Sequence, residues 1–172
     1  RDNSQTVSFN GKTAARASNG TREWVAKDSS RYEVQSGVFT DDILNGAGSR
    51  SSKSKTEKNE SSGTYAYGKL YGVGYLKRVI EKNNNGIYES SAYQGDLYAD
   101  RYHGEGRLTY TLKNIPEGFG PLVCSSVELP GTTRETLEVV LEGTFDDGVF
   151  KEGRITYSDG SWYDGKFAGE GL

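Results

Sequence analysis

Few residues in this chain could do chemistry. The one histidine, His103, stands between Tyr102 and Gly104, with Asp100 and Glu105 close in sequence. A general acid–base or metal site would use such a group. Paired carboxylates occur at Asp41-Asp42 and Asp146-Asp147, and the pairs Gly46/Gly48, Gly72/Gly74 and Gly104/Gly106 invite comparison with phosphate-cradling loops. A simpler reading exists for each. An acid–base histidine needs a nucleophile or an orienting partner. The positions equivalent to His103 in related segments hold Asn45, Tyr71 and Lys151, so His103 reads as part of a hairpin turn. The aspartate pairs read as solvated turn residues. No Gly-x-Gly pair is followed by a helix carrying Lys-Ser/Thr, so the phosphate reading fails. The single Cys124 excludes an internal disulfide and a cysteine-based zinc site, and it lacks the basic neighbour that would activate its thiol. The expectation is no catalytic residue, no metal and no cofactor, hence no enzyme.

The elements that would position these residues show themselves by glycine spacing. In "YQGDLYADRYHGEGRLTY", Gly95 and Gly106 lie eleven apart, with Gly104 two before the second. Gly37/Gly48 and Gly63/Gly74 repeat that spacing, Gly143/Gly153 is one residue shorter, and Gly165 with Phe167 begins a further copy. The copies fall near 35–50, 61–77, 93–110, 141–157 and 163–172, with insertions near 51–60, 78–88 and 113–135 between them. Residues 1–31 read as a degraded hairpin or an extension. Gly160 and Gly171, again eleven apart, allow a second register at the end. Within a copy the residues alternate with period two: Tyr93, Gly95 and Leu97 share one face, as do Gly106, Leu108 and Tyr110. Each copy is then a β-hairpin, and the chain is expected to be all-β, an elongated single-layer antiparallel ribbon with little or no helix. Rings from the aromatic positions are expected to fold over the bare glycines on the same face.

Composition agrees. Aromatic content of 12% with 23 glycines suits half-exposed β structure rather than disorder. The net charge of −3 hides an asymmetry: residues 1–87 carry 14 Lys/Arg against 9 Asp/Glu, and residues 88–172 carry 7 against 15. No apolar run approaches the roughly 18 to 20 residues of a spanning helix. The chain opens on Arg1 and contains no methionine, so it reads as a fragment or a processed form.

The pattern Tyr-x-Gly-x-aromatic, then His-Gly-x-Gly, then an apolar and aromatic pair, resembles the MORN repeat (membrane occupation and recognition nexus). Tyr93, Gly95, Leu97, His103, Gly104, Gly106, Leu108 and Tyr110 carry the resemblance. "TYSDGSWYDGKF" matches the join between two copies. Gln35, Ser61 and Leu141 depart from it at the leading tyrosine. The resemblance implies a scaffold or protein-interaction module, a structural subunit of a larger assembly, with other protein subunits as partners and no nucleic acid. It also implies an intracellular location: cytoplasmic, cytoskeletal or ciliary, or organellar after removal of a transit peptide. A single-layer ribbon leaves an aromatic surface for a partner, and the residues expected on it are Tyr65, Tyr67, Tyr93, Tyr98, Tyr110, Phe145, Tyr157, Tyr163 and Phe167. Two alternatives stand beside this reading. One is an accessory domain of a larger enzyme. The other is an anionic membrane surface met by Lys53, Lys55, Lys58, Lys77, Arg78 and Lys82, expected on two loops between copies.

Overall fold

The computed structural model describes residues 4–11, 18–26, 30–81, 88–113 and 136–167. They hold eleven strands and no helix: β1 (Ser4–Gly11), β2 (Ser18–Ala26), β3 (Arg31–Thr40), β4 (Ile43–Ser54), β5 (Glu57–Ala66), β6 (Lys69–Ile80), β7 (Tyr88–Tyr98), β8 (Arg101–Lys113), β9 (Thr136–Asp146), β10 (Val149–Tyr157) and β11 (Trp162–Lys166). All belong to one antiparallel sheet, and spatial order equals sequence order. The ribbon of successive hairpins read from the alternation is the observed fold.

Four hairpins turn on two residues with positive φ. These are Asp41-Asp42 (49°, 61°), Tyr67-Gly68 (50°, 78°), Ala99-Asp100 (51°, 69°) and Asp147-Gly148 (50°, 87°). Two left-handed residues in succession make a type I′ turn, whose twist matches that of the flanking strands. His103 is therefore not in a turn, contrary to expectation. It lies in β8, three residues beyond Asp100, where the register shifts.

The glycines set the register. Gly11, Gly20, Gly37, Gly48 and Gly63 are paired in succession across β1 to β5. Gly74, Gly95, Gly106, Gly143, Gly153 and Gly165 continue the row to β11. The row thus starts at Gly11 and Gly20, before the first copy read from spacing. A β-bulge accompanies it in each of the four hairpins. Between Gly37/Gly48 and Phe39/Leu44, one residue of β3 faces three of β4. The hairpin of β9 and β10 has one residue fewer at this place, which is why its glycines are ten apart rather than eleven. Bulges bend a strand and strengthen its twist.

At Gly95 the requirement for glycine is steric. A Cβ there would lie 2.4 Å from both the Glu105 carbonyl oxygen and Gly106 Cα, and φ is +155°. On Gly106 a Cβ would meet the Tyr93 ring at 2.2–2.5 Å. The ring thus occupies the space two missing side chains leave, as the sequence implied. The core lies along this face: Phe39, Leu44, Tyr65, Leu70, Tyr93, Leu97, Leu108, Leu141, Phe145, Phe150 and Ile155 are each at most 5% exposed.

The polar stretch 51–60, expected between copies, is not a loop. It lengthens β4 and β5, leaving Lys55 and Thr56 as the bend. Alternating polar residues can extend a hairpin when a paired neighbour satisfies their backbone groups. Lys82, Cys124, Gly171 and nearly all of the insertion 113–135 lie outside the described residues.

Candidate inner-face groove

Two rows of side chains beside the glycine row define the inner face. The first runs Arg22, Gln35, Arg50, Ser61, Leu76, Tyr93, Leu108, Leu141, Ile155 in pairwise register. The second runs Glu33, Ser52, Asn59, Arg78, Ser91, Tyr110, Val139, Tyr157. Both change character along the sheet. The first is apolar and aromatic from Leu76 of β6 onward and the second from Tyr110 of β8 onward; before those points both are polar and charged. Gln35 and Ser61 occupy the place that Tyr93 fills in the best-preserved copy. The short Ser61 leaves the sheet's curl unfilled, and a groove of about 800 Å³ opens beside it.

Leu76, Leu108 and Leu141 line the groove together with Tyr102, Tyr110, Arg50 and Arg78. With no ring at Ser61, Tyr65 reaches it instead, hydroxyl to hydroxyl at 2.7 Å. Arg50 lies over the Tyr65 ring, 5.5 Å from its centroid, and donates to the Gly68 carbonyl. Its Nε is 3.9 Å from Glu33 and is buried without a hydrogen-bond acceptor. Arg78 donates to Glu57 at 2.8 Å, and this bond, assisted by Asn59, holds the Glu57 carboxyl below its usual range. Burial pushes the Tyr102 phenol up. Burial, then the charge of Glu89 and a hydrogen bond to it, do the same to Tyr110. The groove therefore combines an apolar floor with fixed donors and acceptors of both charges.

The expected aromatic surface needs correcting. Tyr65, Tyr93 and Phe145 are at most 1% exposed and Tyr157 is buried, so these four pack the core and present nothing to a partner. Phe167 packs against that core. Tyr110 is half-buried in the groove wall. Only Tyr67, Tyr98 and Tyr163 are broadly exposed. The basic set lies mainly on strands rather than loops: Lys53 and Lys58 are register partners on β4 and β5, and Lys55 alone of the described members sits in the bend between them. Arg78 turns into the groove against Glu57, Lys58 pairs with Glu81 at 2.9 Å, and Lys53 and Lys77 lie in strands β4 and β6. Arg50, Glu33 and Glu89 were not singled out from the sequence. The available signal was the departure from the repeat at Gln35 and Ser61.

His103 is half-exposed; its ring lies 5.8 Å from that of Tyr98, and Nδ1 is 3.6 Å from Asp146. Among the described residues, no three His, Cys, Asp or Glu side chains come together to hold a metal, and no helix is long and apolar enough to cross a membrane. No protein-family model matches the chain, and none of the curated proteins is detectably similar to it.

Proposed function

We propose that this protein is a non-enzymatic interaction module, a structural subunit of the MORN-repeat kind that seats a segment of a partner protein in its inner groove. The observation that carries the reading is the groove itself: about 800 Å³, floored by leucines and walled by Arg50, Arg78 and Glu89. Its charged groups stand on different strands, Arg50 on β4, Arg78 on β6 and Glu89 on β7, so they are spaced across the sheet, where neighbouring strands lie roughly 4.8 Å apart. The guanidinium groups of Arg50 and Arg78 in its wall are donors of the kind that match a partner carbonyl or carboxylate. The anionic-membrane alternative has weaker support, because Arg78 and Lys58 already have carboxylate partners.

The test is affinity purification of the full chain beside Ser52→Trp, which fills the groove from β4. The wild type is expected to retain a stoichiometric protein partner that Ser52→Trp loses while its circular dichroism and melting temperature hold. Recovery of no stoichiometric partner, or of the same one by both chains, removes the groove from this role.

A further inference from the structure

The outer face of the sheet carries an independent feature, on the side away from the groove. Tyr71 and Tyr98 are register partners on β6 and β7. Their ring centroids are 5.3 Å apart and their planes meet at 84°. Tyr98 is 61% exposed, and Val73, two residues beyond Tyr71 and paired with Asp96, is 71% exposed. On the other flank His103 approaches Tyr98 and faces Asp146. The exposed Tyr98 ring and the half-buried Tyr71 ring, at a right angle, form two walls of a corner, and ring faces carry the negative end of the aromatic quadrupole. Carboxylates outnumber cations around this corner: Asp96, Asp146 and Asp147 stand against Arg101, the register partner of Tyr98, which pairs with Asp147. The Asp96 carboxylate, two residues before Tyr98 on the same strand, lies over Gly104 and accepts from the Glu105 amide at 3.3 Å.

This arrangement selects the sign of a ligand. An anion, or an anionic lipid surface, would meet carboxylates; a cation would meet ring faces and carboxylates together. The adjoining turn points the same way. Tyr67 holds φ at 50° while 85% exposed, where the other hairpins place Asp41, Ala99 and Asp147. A bulky side chain in that left-handed conformation is strained, and strain kept at an exposed aromatic is a mark of a contact surface.

We propose that the corner of Tyr71 and Tyr98, with Asp96, is a binding site for a cationic side chain, an arginine or lysine presented by a partner protein. It lies on the opposite face from the groove, so the two can be occupied together and fail separately.

The experiment titrates the full chain with an oligoarginine peptide at physiological ionic strength, with oligoglutamate as control. Tyr98→Ala should weaken oligoarginine binding about fivefold. Tyr98→Phe, which keeps the ring, should bind as the wild type does. Asp96→Asn, which keeps an acceptor for the Glu105 amide, should also weaken binding, and it provides the reading if Tyr98→Ala melts early. Equal affinity for wild type, Tyr98→Ala and Asp96→Asn would mean diffuse charge attraction and would overturn the proposal. So would binding to phosphatidylserine vesicles that Tyr98→Ala abolishes.

Discussion

Tyr93 has a double duty: its ring covers Gly95 and Gly106, and its hydroxyl donates to the Asp96 carbonyl at 2.8 Å. The second role ties the bulge to the core, and it requires the neutral phenol. Burial, with the nearby charge of Asp96, raises its pKa from the ordinary 10 to about 12. A folded-state pKa above the unfolded one stabilises the fold fully below the unfolded value, and the contribution is lost as pH rises through the folded one. Stability should therefore fall between pH 10 and about 12. In Tyr93→Phe that fall should be shallower, though not absent, because Tyr65, Tyr102 and Tyr110 are also raised. At neutral pH the variant should lose about 1 kcal/mol with the hydrogen bond. Urea melts at successive pH values measure both; an unchanged alkaline slope would clear Tyr93 of the effect.

Three of the four hairpins are clipped to the preceding one by their turns. The Gly68 amide donates to the Leu44 carbonyl at 2.9 Å, Asp100 to Leu70 at 3.1 Å and Gly148 to Tyr102 at 2.8 Å. The Asp100 carboxylate adds a return bond, accepting from the Leu70 amide at 2.9 Å. Asp100→Ala removes that acceptor and places a methyl group at φ 69°, so it should cost about 1–2 kcal/mol. Asp100→Gly, relieved of the backbone strain, should cost less. Hydrogen exchange at the Leu70 amide is the direct readout, and unaltered protection there in Asp100→Ala would mean that the clip is idle. The hairpins themselves were legible in sequence because period two and the glycine spacing are local. The strand character of 51–60 was not, since Ser, Lys and Glu have little intrinsic preference for strands and form them only against a paired neighbour.

Packing across the molecule runs almost wholly between strands adjacent in sequence. Among the described residues the charge asymmetry is consequently a spatial one: those up to Glu81 carry nine Lys/Arg against seven Asp/Glu, and those from Tyr88 on carry six against eleven. A linear array of this kind should tolerate shortening from one end, because each unit depends on its neighbours alone. A chain beginning at Ser30, without β1 and β2, should keep the hydrogen-exchange protection of β7 to β10. Its urea m-value should drop by roughly a fifth, in step with the surface removed. Collapse of protection throughout would show a coupling that nearest-neighbour packing does not supply.

By itself the sequence determined the class of fold and most of the glycine register, because glycine spacing and alternation act over one hairpin and need no distant partner. The recess beside Ser61 required the tertiary structure. A short side chain announces only that a ring is missing, and whether the space fills or opens depends on the bend of the sheet around it. Burial was decided at the same level: Tyr65, Tyr93, Phe145 and Tyr157 turned inward while Tyr67 and Tyr98 stayed outside. Tyrosine is compatible with either side of a half-buried strand, and one residue of register, set here by the bulges, moves it from one face to the other.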